Sequence, residues 1–131
     1  MELKKIKYEE LNARQKENYN YHKVASKLAD YGYDCMRLNN DWQGADFIAV
    51  HNDGEKMLKV QLKGRFTIAE KYSNKEIWIA FFEDGVVYMY DHDLIVSKLK
   101  ERTLNSKSWK ENKQYSQMPI PKIYTDYILT L

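Results

Sequence analysis

The chain is 131 residues long, which is room for one domain and hardly a second. Hydrophobic residues make up 44% and charged residues 31%, enough to bury a core and too much for a disordered tail. With 21 Lys and Arg against 19 Asp and Glu, the formal charge of +2 excludes a histone-like polycation, so any nucleic-acid contact needs a local patch.

The first strong element is a helix. Asn12 and Gln15 have capping-box spacing behind Leu11, and Tyr21, Val24, Ala25 and Leu28 then recur at helical spacing up to Gly32. Strands follow over residues 33–38, 45–51 and 56–63. Asp53-Gly54 marks a hairpin between the last two, and Asp84-Gly85 marks another between strands 76–82 and 86–90. Residues 64–75 are too few for a long crossover helix and read as an extended lead-in with one helical turn. A helix is expected over 91–102, with Asp91 and Asp93 at its start and Lys98, Lys100 and Arg102 at its end. Residues 103–117 carry no clear period, and after Pro119 and Pro121 a short helix is expected from Lys122 to the end. The expected fold is α/β: an N-terminal helix on a mixed, mostly antiparallel sheet of four or five strands, with C-terminal helices, in one domain over 1–131.

The single cysteine, Cys35, excludes a disulfide framework and a Cys-rich zinc site and reads as a small core residue. His22, His51 and His92 share no metal spacing and read as structural. No apolar run approaches the roughly 18–20 residues of a membrane helix, and Met1 opens onto Glu2-Leu3-Lys4-Lys5. A cytoplasmic protein without a membrane partner is expected. Charge is uneven along the chain. Residues 76–93 hold five acids and no Lys or Arg, whereas 98–122 hold seven cations against two acids. The second stretch is either a solvated face or a nucleic-acid patch containing Lys110 and Lys113.

The third strand has period two, so its side chains divide between two faces. Leu58, Val60 and Leu62 take the core side, and Lys59, Gln61, Lys63 and Arg65 take the other. Burying an amide and three cations unpaired is costly, so this second face is either solvated or lines a polar site. Asp46 favours the site. It lies just after Gly44, at the end of its strand opposite the Asp53-Gly54 turn, so antiparallel pairing brings it level with residues 61–63. A carboxylate, the Gln61 amide oxygen and the Leu62 carbonyl would then converge, all hard oxygen ligands suited to Mg²⁺, with Mn²⁺ as a substitute. Lys63 beside them would polarise a water and face a developing phosphorane. This inventory fits metal-assisted phosphodiester hydrolysis.

Gly44-Ala45-Asp46-Phe47, a hairpin, and Val60-Gln61-Leu62-Lys63-Gly64-Arg65 resemble the signature of the PD-(D/E)XK, or restriction-endonuclease-like, nuclease superfamily. More narrowly they are similar to its D…QxK variant, found in Mrr-type restriction nucleases and some small homing endonucleases. The resemblance implies a restriction-endonuclease-like core, metal binding by Asp46 and Gln61, and assistance to the nucleophile by Lys63. The proline usual before the first catalytic Asp is Ala45 here. The acid that the superfamily often takes from its first helix falls near Tyr21, and Glu17, one turn earlier on the same side, is the candidate.

The expected function is a Mg²⁺-dependent endonuclease acting on DNA, with RNA also open to the chemistry, working as a homodimer on a symmetric duplex. Lys59 and Arg65 would hold the phosphate backbone. Trp42, in the polar loop 39–43, would either face nucleic acid or fold over the hairpin, while Asp41 is a spare ligand or a loop former. Two alternatives stand beside this. Gln61 carries one negative charge fewer than a carboxylate, which suits an inactive nuclease-fold protein that binds nucleic acid or a protein partner. An interaction module with a wet strand face is the third reading.

Overall fold

Asn12 starts the first helix as its sequence requires. Its side chain accepts from the Gln15 N–H at 2.9 Å, and the Gln15 side chain accepts from the Asn12 N–H at 2.9 Å. The resulting helix, α1 (Ala13–Ala29), lays Val24, Leu28 and the half-buried Tyr21 on the sheet residues Phe47, Ala49, Val60, Ala80, Val87 and Met89. The structure is a computed structural model that describes residues 1–99 and 101–131. None of its described helices is long and apolar enough to cross a membrane.

In chain order the strands are β1 (Tyr33–Trp42), β2 (Ala45–His51), β3 (Met57–Leu62), β4 (Phe66–Ala69), β5 (Ile77–Glu83), β6 (Val86–Asp91), β7 (Gln114–Gln117) and β8 (Leu129–Thr130). Six of them form one mixed sheet in the order β1-β2-β3-β5-β6-β8, while β4 and β7 pair separately. Every neighbouring pair is antiparallel except β3 and β5, which run parallel, with Gln61 opposite Ile79 and Leu62 opposite Ala80. The α/β class and the mostly antiparallel sheet are as expected. The sheet is larger than the expected four or five strands because the C-terminal segment adds β8 against β6.

The face away from α1 is apolar over one half only. Ile77, Ile79, Phe81 and Tyr90 carry a second core with Phe66, Ile68, Tyr72, Ile95 and Tyr124. Over β3 the same face presents Lys59 and Gln61, because residues paired across a ladder share a face. The polar site therefore lies where the second core stops.

The β3–β5 connection is held by side chains. One edge of β4 pairs with β7. On its other edge the buried Tyr90 hydroxyl accepts from the Thr67 N–H at 2.8 Å and donates to the Thr67 carbonyl at 2.7 Å, and His92 Nε2 accepts from the Ala69 N–H at 3.0 Å. Burial pushes the Tyr90 hydroxyl well above its ordinary value and holds His92 below 6.5, neutral, as an acceptor requires.

The connection of residues 64–76 is the expected extended lead-in with one helical turn: the short strand β4 and a 3-10 turn, Glu70–Tyr72. Other elements depart from their expected form. The expected polar loop 39–43 belongs mostly to β1. The chain reverses on Gln43 and Gly44 alone, both at positive φ (52° and 88°), closing a tight turn between the paired Trp42 and Ala45. Asp84 and Gly85 make the same kind of turn, at 48° and 79°. The Asp53-Gly54 connection is longer, closed by His51 N–H to Lys56 O and by Asp53 Oδ1 accepting from Glu55 and Lys56. The expected helix 91–102 stops early, as α2 (His92–Ser97), and α3 (Glu101–Leu104) follows separately; Lys100 lies outside the described residues. Residues 103–117 contain α4 (Lys107–Asn112) and β7. The expected terminal helix is a 3-10 segment, Lys122–Tyr127, that buries Tyr124 before the chain extends into β8.

Candidate active site

The Gln43-Gly44 turn sets the site. A Cβ on Gly44 would lie 3.0 Å from the Tyr72 ring, so only glycine lets β2 enter here against the second core. Ala45 is buried in that core, and the next residue, Asp46, reaches the Leu62 backbone. The β2–β3 ladder ends at Phe47 opposite Val60, which puts Asp46 level with Gln61. Asp46 Oδ2 accepts from the Leu62 N–H at 2.8 Å, so the side chain extends the ladder where the backbone stops. Gln61 Nε2 donates to the Leu62 carbonyl at 3.2 Å. The Lys63 ammonium stands 5.1 Å from the centre of the Tyr72 ring, and the Lys63 N–H donates to Ala80 O at 3.0 Å.

These groups line a cavity of about 710 Å³ whose other walls are α1 and the end of β1. Glu17 reaches it from α1 and Asp41 from β1. The cavity also holds Arg14, Asn18, Asn20, Arg37, Asn39 and Asn40. Sequence reasoning placed Asn39 and Asn40 in the polar loop 39–43 and missed the other four, although Arg14 lies one turn before Glu17 and Arg37 precedes Asp41 at strand period. Arg37 is braced by Asn18 Oδ1, which accepts from it at 2.5 Å, and by the Tyr21 ring 5.0 Å away. Tyr72, beneath Lys63, was also missed.

Burial raises the Asp46 carboxyl above its ordinary 3.8, and the carboxylates of Asp41 and Glu17 add to the rise. The Leu62 N–H and Lys63 offset it only in part. A half-buried acid that its surroundings leave short of positive charge is a natural partner for a cation.

The donor set fits Mg²⁺, which keeps several waters and takes one or two carboxylates. Among the described residues no three His, Cys, Asp or Glu side chains form a metal cluster by themselves. A cation here would rest on Asp46 and on the neutral oxygens of Gln61 and Leu62. The Gln61 amide end lies 3.2 Å from the Leu62 carbonyl, close to the roughly 3.0 Å edge of an octahedron with Mg–O near 2.1 Å. Turning the amide over exchanges its NH₂ for its oxygen at that spacing. Two oxygens so close repel each other unless a cation lies between them.

The remaining sequence candidates lie elsewhere. Lys59 and Trp42 meet outside the cavity lining, with the Lys59 ammonium 5.7 Å from the indole and 3.5 Å from Gln43 Oε1; Trp42 is 48% exposed. Arg65 lines a second cavity of about 300 Å³ with Ser108, Asn112, Gln114 and Ser116. Lys110 and Lys113 are exposed on and just after α4, and the Lys113 carbonyl accepts from the Glu70 N–H at 2.9 Å. Cys35 is half-buried, its thiol pushed up to about 11 by burial and then by Asp34. Comparison with family models, with curated proteins and with solved structures found no match.

Proposed function

We propose that the chain is a divalent-metal-dependent endonuclease that hydrolyses phosphodiester bonds, with DNA its first substrate and RNA open to the same chemistry. The observation that carries this reading is the meeting of Asp46, Gln61, Leu62 and Lys63 in one cavity with Glu17 on its opposite wall. The element order supports it as well. A helix and three antiparallel strands, followed by a crossover to a parallel fourth, is the arrangement that the resemblance to the PD-(D/E)XK superfamily implies.

Each residue has a definable part. Asp46, the Gln61 amide oxygen and the Leu62 carbonyl hold Mg²⁺ or Mn²⁺. When bound, the ion neutralises phosphate charge and lowers the pKa of a water. Asp46 is held in place by the Leu62 N–H, so its free oxygen is aimed before any ligand arrives. Lys63 sets a positive charge where negative charge grows on the phosphate, and Tyr72 limits its swing. Glu17 supplies the second acid that compensates for Gln61. Arg37 is a fixed guanidinium for a neighbouring phosphate.

The test is cleavage of plasmid and linear DNA, and of single-stranded RNA, with Mg²⁺ or Mn²⁺ and with chelator. The wild type cuts and chelator stops it. Asp46→Ala and Lys63→Ala each remove most activity in a folded protein, because metal capture and water activation act as one unit. Equal activity in both variants overturns the assignment. Salt-sensitive binding without cutting in either metal favours the non-catalytic binder instead.

A further inference from the structure

Two cavities flank one peptide step: Gly64 lines the first and Arg65 lines the second. Gly64 needs no glycine for its own conformation. It is exposed, its φ is ordinary, and a Cβ there would meet nothing within 4 Å. Its lack of a side chain leaves a low, bare saddle between the recesses.

The second cavity suits an anion. Its lining is Arg65 with two hydroxyls and two amides, without an acid. Ser108 donates to the Gln114 carbonyl, and the Ser116 hydroxyl pairs with Thr67 at 3.1 Å, so those two are already committed. Among the described residues no ion pair or side-chain hydrogen bond engages the Arg65 guanidinium or the Asn112 amide. A planar guanidinium flanked by a free amide is the chemistry that grips a phosphodiester.

Shape selects the form of the nucleic acid. A recess of about 710 Å³ is the size that holds a small-molecule ligand, which is one or two nucleotides and not a duplex. Its amides Asn39 and Asn40 offer donors and acceptors to base edges freed from pairing. We infer that one unpaired strand runs from the first cavity over Gly64 and seats a phosphate in the second, on Arg65 and Asn112. This assignment rests on the nucleic-acid reading of the first cavity and adds its substrate class, a single strand, flap or frayed end.

The experiment measures binding apart from cutting. Asp46→Asn protein is titrated without metal against labelled oligothymidylates from two to ten nucleotides, at several salt concentrations, by fluorescence anisotropy. Gly64→Leu and Arg65→Gln are made in the same background, and thermal unfolding checks their folding. Gly64→Leu should weaken the longer oligonucleotides about tenfold or more, the change that overpacking a contact by one side chain carries. Arg65→Gln should lower the salt slope by about 0.7, one single-strand phosphate. Arg65→Gln should not change binding of the dinucleotide, which fits the first cavity alone, and Gly64→Leu should weaken it less than the longer oligonucleotides.

Unchanged binding of long oligonucleotides by Gly64→Leu at the parent's thermal midpoint overturns the path, as does an equal loss for short and long ones. If Gly64→Leu fails to fold, the slope of Arg65→Gln decides alone. A duplex that binds as tightly as the single strand overturns the unpaired form. Cutting by the wild type together with unaffected binding in both variants sinks this inference and spares the nuclease reading. The expected binding responses in a wild type that never cuts do the reverse.

Discussion

Replacing Asp46 by Asn and by Ala should move stability in opposite senses. The surroundings of Asp46 raise its carboxyl, burial first and then Asp41 and Glu17, even after the Leu62 N–H and Lys63 are counted against them. The folded protein therefore prefers this group uncharged. Asn is uncharged and still offers an oxygen to the Leu62 N–H, so at neutral pH Asp46→Asn should match or exceed the wild type in stability. Ala offers nothing. It strands a part-buried N–H, at a cost of about 1–3 kcal/mol. With an unfolding entropy of roughly 2.1 cal/mol/K per residue, 131 residues give about 0.28 kcal/mol/K, so the Ala variant should melt about 4–11 °C lower.

The sign with pH follows from the same linkage. A carboxyl raised on folding contributes stability at low pH and loses it as pH climbs through its folded value. The Asn variant and the wild type should coincide below 3.8, where both are neutral, and separate in favour of Asn as pH rises. Mg²⁺ at ten times its dissociation constant should raise the wild-type midpoint by about 5 °C, and should leave the Asn variant where it was. Circular-dichroism melts at pH 3 and pH 7, with and without Mg²⁺, read all of this. An Asn variant as destabilised as the Ala variant, or a difference that ignores pH, refutes the buried-charge reasoning.

Three other outcomes are expected. Tyr90→Phe leaves both Thr67 backbone groups without their partner and should lose about 1–3 kcal/mol in urea unfolding, with cleavage retained below its lowered midpoint. His92 is buried neutral, so below 6.5 the unfolded chain takes a proton that the folded one refuses; stability should fall with falling pH, by up to about 1.4 kcal/mol per unit, and His92→Gln should flatten that slope in urea titrations from pH 7 to 5. Lys110→Gln with Lys113→Gln should shallow the salt dependence of single-strand binding by up to about 1.4 if both touch phosphate, and an unchanged slope makes the basic stretch a solvated face.

How much of this was legible depends on whether the deciding interactions were local. The α1 capping box and the Asp84-Gly85 turn are written within a few residues, and both form as expected. The period of β3 and its offset from Asp46 fix the site because a strand alternates faces and a hairpin conserves register. Gln43-Gly44 was not read as a turn, since Gln seldom takes positive φ; the register between Trp42 and Ala45 imposes it. Residues 103–131 resisted because their partners are distant. Gln114–Gln117 become a strand only against Phe66–Ala69, and Leu129–Thr130 only against Tyr88 and Met89. Tyr90 and His92 look like ordinary core residues until β4 is seen to lack a neighbour on one edge.

The position of the cavity has a reason in the sheet itself. β3 has an antiparallel neighbour, β2, on one side and a parallel neighbour, β5, on the other. Its antiparallel partner begins at Ala45, and the ladder between them stops at Phe47 and Val60, two residues before β3 ends. Its parallel partner continues to Leu62 opposite Ala80, so the chain stays anchored while its β2 side comes free. Backbone groups on that side must find other partners or water. One does so through Asp46, and the Leu62 carbonyl accepts from the Gln61 amide. Ligands in open sheets gather at the carboxyl ends of strands, where neighbouring connections part. Here the parting lets the chain between β3 and β4 carry Lys63, Gly64 and Arg65 past two recesses in succession. The pairing that leaves β3 half-released thus aims the acid and opens the cavity, and it also lays the bare glycine beside them.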